Sequence, residues 1–535
     1  MILLTILKKI KNIFLNLNKI IYLFHRNKFE KKIHSFLTSK NNTFKEITLV
    51  DGMFDNPNYW FRYNLFKNAL GLENDCQIGI SGKFNKFKVK KTFKNFNFKI
   101  NQPFYSQKKD PLLIKCRDQI YQKLIITKTI LSLKLPEGFP VEIFYDGILR
   151  RQRSASVNFD DPNLLKYIEE FLICLKNANF LIKKYSPKLL ILSHAVNFDC
   201  GALAWVAFKK NINTVILYGE YGSLRFWRPS KEHQIFMRGN FLNEFQIKRF
   251  SVDKQKKLEE TGKKYLKLRL GGEAKDIGAV RAFNNKQKIS KKEICKEFKW
   301  SLKNKIICIY SLSWIDFVHL YGGCLYENAK YWINDTLEVA SKNKNINWII
   351  KRHPLEKYYQ SGRIEDFINI SLCQNIKICP DNWEGNSLLQ SIDGVVTLMG
   401  TVGIEAASLG KIVILGDKGW YGESDFCYYP KNKTQYRNLL SSKWSINKKD
   451  KNSVKKNASI FACWHFCVPD WQKDFMFLDD FKNEKNYMHL NLLLKKNQKE
   501  ILNEIQHIRK WFNSNSTGYH SYKMNNAQNY KLSNI

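Results

Sequence analysis

The sequence lacks the features that define several large classes of protein. It contains no run of about 18 uncharged apolar residues, the length that a membrane-spanning helix requires. Its 12 cysteines are too dilute for a disulfide scaffold, and no zinc-site spacing occurs, because Cys463 and Cys467 have no second pair. The apolar opening segment has no small-residue cleavage site, so we expect no removable signal peptide. These absences favour a reduced, cytoplasmic, globular protein.

Acidic residues are also scarce: 48 Asp and Glu oppose 88 Lys and Arg, which gives a formal charge of +40. The lysines are spread along the whole chain, and abundant Lys, Asn, Ile and Phe are what an AT-rich coding sequence produces whatever the function. The charge favours anionic partners without choosing among nucleic acid, anionic lipid and nucleotide sugars. Only the charge supports nucleic-acid binding, and we expect none.

Residues 1–40 form a separate basic segment. Its apolar residues recur at alternating steps of four and three, which places them on one helical face: Leu3, Leu7, Ile10, Phe14, Leu17, Ile21 and Phe24. Lysines and arginines accompany this face, and the first acidic residue is Glu30. The pattern predicts a basic amphipathic helix that lies on an anionic membrane surface. The alternative is a helix packed on the domain or on a partner helix.

Short apolar stretches alternate with helix-length segments from about residue 44 onward. The strand candidates are Glu46–Val50, Leu189–Ser193, Thr214–Tyr218, Lys305–Tyr310, Asn347–Lys351, Gly394–Thr397 and Ile412–Leu415. Strands that alternate with helices are typical of parallel sheets with crossover helices. The rhythm occurs twice, which predicts an α/β protein with two Rossmann-like domains that face a cleft.

The predicted organisation has six parts. They are the amphipathic segment at 1–40, a first Rossmann-like domain at 41–250, a helical connection at 251–300, a second Rossmann-like domain at 301–460, C-terminal helices at 461–512 and a polar tail at 513–535. Ligands of open parallel sheets bind beyond the carboxyl ends of the strands. The residues that follow each strand are therefore the first candidates for a site.

Two such segments lie in the second domain. Lys351, Arg352 and His353 follow a buried strand, with Glu356 one turn later, and these cations could hold a phosphate. The alternative is that His353 and Pro354 only terminate the strand. Further on, a strand ends at a turn that contains glycines and then opens a helix.

In that turn, Gly400 and Gly403 allow close approach to the backbone, and Thr401 can cap the helix that follows. Glu405 could accept hydrogen bonds from ribose hydroxyls or merely complement the helix dipole. Turns of this kind are common. The indication strengthens because Lys351–His353 end a neighbouring strand.

The first domain offers weaker candidates. Asp51 and Asp146 each stand before a glycine at an apparent strand end, and His194 follows another strand. A carboxylate that faces the cleft can act as a base or nucleophile, although Asp-Gly is also ordinary turn chemistry. A loop with aromatic residues carries Arg225 and Arg228.

The segments Lys351-Arg352-His353-Pro354-x-Glu356 and Thr401–Ala406, followed by Leu409-Gly410-Lys411, resemble the capsule polysaccharide biosynthesis family. That family includes Kdo transferases with two Rossmann-like domains, the GT-B type. Further similarity lies at Ser311–Asp316 and Ser193-His194, and the resemblance covers about residues 45–430.

The resemblance implies transfer of a sugar from a nucleotide donor, CMP-linked by preference, to a lipid-linked or polysaccharide acceptor at the cytoplasmic membrane face. It implies Lys351 and His353 on the donor phosphate, with the residues around Thr401 near the nucleotide. No cofactor and no metal are expected, which agrees with the absence of any Asp-x-Asp motif.

Catalysis is assigned less directly. The His-Pro pair is also similar to the phosphate-binding motif of bacterial sialyltransferases of this fold, which carry an acidic pair before a glycine in the first domain. Here Tyr145 replaces the first acid, and Asp146 is the first candidate for base or nucleophile, with His194 and Asp316 behind it. Arg225 and Arg228 are the candidates for acceptor binding. Two rival functions stay open: a CDP-polyol phosphotransferase of teichoic-acid-like polymers, and a non-catalytic factor of polysaccharide assembly or export.

Overall fold

The structure is a computed structural model. It describes residues 22–35, 46–72, 76–83, 86–217, 224–236, 242, 244–274, 287–320, 324–354, 356, 360, 362–366, 368, 374–442, 444, 450–467, 492–514 and 516–521. Most of the predicted amphipathic segment lies outside these residues, as does most of the predicted polar tail.

The first sheet has seven strands in the order β12-β6-β5-β4-β1-β2-β3. The strands are β1 Ile47–Asp51, β2 Cys76–Ser81, β3 Ile100–Pro103, β4 Leu189–Leu192, β5 Asn213–Ile216, β6 Arg225–Trp227 and β12 Gly518–His520. Strands β1 to β5 are parallel, whereas β6 runs antiparallel to both β5 and β12. The parallel part has the Rossmann order 3-2-1-4-5.

The second sheet repeats this order with five parallel strands, β11-β10-β7-β8-β9. They are β7 Lys305–Tyr310, β8 Ile346–Lys351, β9 Ile376–Ile378, β10 Gly394–Thr397 and β11 Ile412–Leu415. In each sheet the strands are added first on one side of the strand that comes first in the chain, β1 or β7, and then on its other side. The order of the strands therefore reverses beside that strand. Ligands of this fold bind at that point, which here lies between β1 and β4 and between β7 and β10.

Helices cover both sheets. Those before residue 250 are helical residues 22–35 (α1), α2 Pro57–Leu70, α3 Lys86–Asn95, α4 Pro111–Thr127, α5 Val141–Gln152, α6 Leu164–Tyr185, α7 Phe198–Lys209 and α8 Glu244–Lys248. The remainder are α9 Val252–Leu270, α10 Lys291–Phe298, α11 Ala329–Lys342, α12 Gly385–Ser391, α13 Val402–Ser408, α14 Lys433–Ser441, α15 Lys451–Phe466 and α16 Gln498–Phe512. Among all the residues that the structure describes, no helix is long and apolar enough to cross a membrane.

The C-terminal segments return to the first domain. Helix α9 packs along α15 on the second domain, whereas α16 packs on α2. Gly518–His520, which the sequence analysis assigned to the polar tail, forms β12 and completes the first sheet. The first domain is therefore built from two separate stretches of chain.

Helix α1 packs on the first domain through buried Tyr22, Phe29 and Ile33. Its Arg26 donates to Glu30 at 2.8 Å and to Asp55 at 3.0 and 2.5 Å, all within a buried network. For residues 22–35 the structure thus supports the packed alternative. Contact of the preceding residues with a membrane stays a prediction.

The α/β architecture with two Rossmann-like domains is confirmed, and the strand candidates in the sequence match β1, β4, β5, β7, β8, β10 and β11 to within two residues. One strand end was wrong: Asp146 lies in the middle of helix α5. Residue 147 of that helix has room only for glycine, because a Cβ there would lie 2.1 Å from the ring of Phe198.

Candidate functional site

The edge of the second sheet brings Lys351, His353 and Asp316 together. Lys351 ends β8, His353 follows it, and exposed Asp316 lies in the segment after neighbouring β7. Burial lowers the pKa of His353 to about 4, an effect larger than the opposing influence of Asp316. The imidazole is therefore neutral at pH 7. The Lys351 Nζ lies 3.6 Å from Cys379 Sγ.

Arg352 and Glu356 are held by neighbours on the same edge. Arg352 donates to Glu365 at 2.8 Å and to Asp381 at 2.9 Å, so its charge is already balanced by two carboxylates. Glu356 is buried and accepts from the Ser311 hydroxyl at 2.9 Å and the His353 amide at 3.2 Å. These bonds fix the turn that carries His353 against the end of β7.

The glycine turn follows β10, on the other side of β7. The Gly400 amide donates to the Thr397 hydroxyl at 3.2 Å, and the Tyr421 hydroxyl donates to the Gly400 carbonyl at 2.5 Å. A Cβ on Gly403 would lie 2.3 Å from the Tyr421 hydroxyl, so glycine is required there. Thr401 is the residue directly before α13, and its side chain makes no capping hydrogen bond to that helix.

Glu405 is paired with another side chain of the same domain. It is buried, and its carboxylate accepts from Arg269 Nε of α9 at 2.7 Å. Arg269 also lies over the ring of Phe466, 4.6 Å from its centroid. This pair ties α13 to the helices behind it, in the interior of the domain.

The edge of the first sheet holds a second cluster, at its own point of reversal. Asp51 ends β1, and Ser193 and His194 follow β4. The Ser193 hydroxyl lies 2.5 Å from Asp51 Oδ2 and 2.7 Å from His194 Nδ1. Cys200 Sγ, in the first turn of α7, donates to the same carboxylate oxygen at 3.7 Å.

Asp146 connects the two domains. One carboxylate oxygen lies 2.6 Å from His319 Nδ1, and the other accepts from the His319 amide at 3.0 Å. His319 Nε2 lies 2.9 Å from the Glu327 carbonyl, so both ring nitrogens face acceptors, an arrangement that favours the protonated ring. Burial lowers the pKa of His319, but Asp146 and the other acceptors raise it by more, and the net shift is upward.

Asp146 was predicted from the sequence as a catalytic candidate, but His319 was not, because nothing links the two residues along the chain. The available signal was position: His319 lies in the same segment after β7 as Asp316. Near it, burial raises the pKa of Asp417 to about 6, and Asp417 accepts from the Cys324 thiol at 3.0 Å.

The two arginines predicted for acceptor binding contact the C-terminal part of the chain. Arg225 is buried and donates to the carbonyls of Trp464 and His465, each at 2.8 Å. Arg228 donates to the carbonyls of Phe512 and Ser516, at 2.9 and 3.1 Å. Both therefore hold chain segments together.

Two Rossmann-like domains, each with polar residues at the reversal point of its sheet, define a GT-B-like fold. Residues 242–424 match the model of the family described as capsule polysaccharide biosynthesis protein, which confirms the resemblance. The matched segment contains every predicted donor-site residue from Lys351 to Glu405. A comparison with curated proteins finds no match.

Several solved structures are similar over large parts of the chain. A UDP-GlcNAc 2-epimerase from Neisseria meningitidis is 13% identical, with 78% of this chain and 97% of that chain covered and a TM-score of 0.23. The Thermosulfurimonas dismutans KpsC, a beta Kdo 2,4 transferase, is 13% identical with 44% and 73% covered and a TM-score of 0.28. The wall teichoic acid polymerase TagF is 13% identical with 93% and 97% covered and a TM-score of 0.24. The fold assignment itself rests on the strand order.

Proposed function

We propose that the protein is a glycosyltransferase that moves a sugar from a nucleotide-sugar donor, CMP-linked by preference as in CMP-Kdo, to a growing capsular or surface polysaccharide. One observation carries the proposal: Lys351 and His353 follow β8 and the Gly400 turn follows β10, so they flank β7 at the sheet edge that contains the reversal point between β7 and β10. The family match over residues 242–424 supports it.

The donor phosphate would bind at Lys351 and His353. Lys351 supplies a positive charge, and neutral His353 donates one N–H, so charge that develops on the departing nucleotide is stabilised without a metal at this edge. Arg352, already paired with two carboxylates, orders the turn. Gly400 and Thr401 border the other side of the phosphate position.

The acceptor would approach from the first domain. Exposed Asp316 and half-buried His194 are the candidate catalytic groups at the two edges, whereas Asp146 is held by His319 and acts as a positioning residue. The basic pattern of the N-terminal residues supports a peripheral place on the inner face of the cell membrane, where a lipid-linked acceptor is available.

The first experiment measures thermal unfolding of the purified protein with CMP, CDP, UDP and GDP. A nucleotide at 100 times its dissociation constant adds about 2.7 kcal/mol to the free energy of unfolding, which raises the melting temperature visibly. We expect a shift with CMP that is lost in His353→Ala. The matched control is His507→Ala, on α16 and away from both sheet edges, which should keep the shift.

Transfer assays then separate the rival functions. With a CMP-sugar and an acceptor glycan, His353→Ala should reduce kcat/KM by two or more orders of magnitude, about 2.7 kcal/mol of transition-state stabilisation. Near-normal turnover in this variant would remove the donor-site assignment. A product with a new phosphodiester would favour the CDP-polyol phosphotransferase, and no response to any nucleotide would favour a non-catalytic factor.

A further inference from the structure

The cluster at the edge of the first sheet has a composition that the donor chemistry does not use. Asp51, His194 and Cys200 each offer one ligand atom, and these three atoms lie within 4.8 Å of one another. They are the one such group of three or more among the residues that the structure describes. The set contains a carboxylate oxygen, an imidazole nitrogen and a sulfur.

The three residues are fixed by regular structure. Asp51 is the last residue of β1, His194 is two residues beyond β4, and Cys200 lies in the first turn of α7. Strands β1 and β4 are neighbours in parallel register, with Val50 opposite Ile191. The group therefore occupies the reversal point of the first sheet, where an open parallel sheet binds ligands.

The carboxylate of the cluster accepts hydrogen bonds only from neutral groups among the described residues. Asp51 is fully buried and accepts from the Met53 amide at 2.6 Å and from the amide and hydroxyl of Ser193. The Cys200 thiol also donates to this carboxylate, at 3.7 Å, and all four donors are neutral.

We propose that Asp51, His194 and Cys200 form a binding site for a divalent cation, with Zn²⁺ as the best match. Carboxylate oxygen, imidazole nitrogen and thiolate sulfur are the three ligand types that zinc takes in proteins. Three protein ligands leave a fourth position open, and half-buried His194 marks the side from which that position is reached.

Ser193 is part of the same site. Its hydroxyl lies between Asp51 and His194, so it must either turn aside when the cation enters or become the fourth ligand. The charge balance is simple: the cation displaces the thiol proton of Cys200 to solvent, Asp51 binds as carboxylate, and no group changes its oxidation state.

This inference contradicts the sequence-based expectation of no metal. That expectation came from the family resemblance and from the absence of zinc-type and Asp-x-Asp spacings along the chain, whereas Asp51 and Ser193 are 142 residues apart. The inference does not depend on the proposed sugar transfer, because its test needs no donor or acceptor.

The test uses the full chain, freed of metal with a chelator and titrated with Co²⁺. We expect one Co²⁺ per chain, thiolate-to-cobalt charge-transfer absorption in the near ultraviolet, the visible bands of a tetrahedral cobalt site, and displacement by Zn²⁺. Elemental analysis of protein purified without chelator should find zinc in the same ratio.

Variants locate the site. Cys200→Ala should abolish the charge-transfer band and weaken binding by at least about 100-fold. The matched control is Cys174→Ala, a second buried cysteine of the first domain outside the ligand set, which should keep the band. Asp51→Asn preserves the side-chain volume and should also weaken binding by at least about 100-fold. It keeps the test informative should Cys200→Ala fail to fold.

Two results would overturn the proposal. One is no cobalt binding in the folded wild-type chain, as judged by circular dichroism. The other is a spectrum and affinity that survive both Cys200→Ala and Asp51→Asn, which would place the cation elsewhere.

Discussion

The two sheets have the same strand order but opposite chemistry at their carboxyl edges. The second sheet ends in cations and an imidazole, at Lys351, Arg352 and His353. The first ends in a carboxylate, an imidazole and a thiol, at Asp51, His194 and Cys200. Since the backbone geometry is shared, the side chains after the strands decide what each edge binds. One edge suits an anion, and the other suits a cation.

The edges also differ in how their charges are balanced. Arg352 is neutralised by two carboxylates on its own domain, whereas Asp51 at the first edge accepts only from neutral donors among the described residues. The two domains meet at a third polar contact, between Asp146 and His319.

The largest effect is expected at the contact between the domains. Asp146→Ala should lower the free energy of unfolding by about 3–5 kcal/mol, because it removes the buried carboxylate that pairs with both the ring and the backbone amide of His319. Urea unfolding measures the change. The control is Asp160→Ala, whose carboxylate is 87% exposed and should matter by less than about 1 kcal/mol. Equal losses in both variants would show that the contact contributes no special stability.

At the carboxyl edge of the second sheet, substitutions of Lys351 and Arg352 should have different effects on nucleotide binding. Lys351→Ala removes a cation from the proposed phosphate position and should weaken nucleotide binding by roughly 10- to 150-fold, the equivalent of about 1.5–3 kcal/mol. Arg352→Ala should weaken nucleotide binding less, because the Arg352 guanidinium is already paired with Glu365 and Asp381. Calorimetric titration of both variants gives the comparison, and the reverse order would move the phosphate to Arg352.

The contact between the domains also predicts a pH dependence. The folded protein raises the pKa of both His319 and Asp417, so each of these two groups keeps its proton to a higher pH in the folded state than in the unfolded chain. The stability from His319 is full below its unfolded pKa near 6.5 and is lost as pH rises through the higher folded value.

Asp417 has a folded pKa of about 6, so the stability that it contributes is lost as pH rises from its unfolded pKa towards 6. The contribution of these two groups to the free energy of unfolding should therefore fall with rising pH, by at most about 1.4 kcal/mol per pH unit for each proton. His319→Gln should flatten the upper part of the curve. An unchanged slope in this variant would exclude His319 as its source.

The smallest effect is expected at Arg228. Arg228→Ala removes hydrogen bonds to the carbonyls of Phe512 and Ser516, partly at the surface, and should lower stability by about 1 kcal/mol. Thermal unfolding measures this, with Arg363→Ala, an exposed arginine of the second domain, as control. A change in acceptor KM without loss of stability would return Arg228 to the acceptor site that the sequence suggested.

The fold was predictable where strands are apolar and buried on both faces. β7 and β10 matched their candidates residue for residue. The short edge strands β3, β9 and β12 were missed because they carry few buried apolar residues. β2 was missed for another reason: Gln77 and Gly79 interrupt its apolar run. Gly79 is required there, because a Cβ would lie 2.5 Å from the ring of Phe93.

The candidate site was predictable only where its residues are close in sequence. The segment Lys351–Glu356 reads as one motif, and the structure keeps it together at one sheet edge. Pairs that depend on topology, such as Asp51 with His194 and Asp146 with His319, need the strand order before they can be recognised. Glu405 shows the converse: local position suggested a ligand contact, and tertiary packing on Arg269 gives it another partner.

The return of the chain to the first sheet has a consequence for biosynthesis. During translation, residues 46–236 emerge first, but β6 acquires its outer neighbour β12 only after the whole second domain has been made. Until then the nascent chain carries an uncovered strand edge, which is a template for pairing with other chains. Premature termination before Gly518 would leave that edge permanently open. Shortened products should therefore be recovered in aggregates rather than as folded fragments.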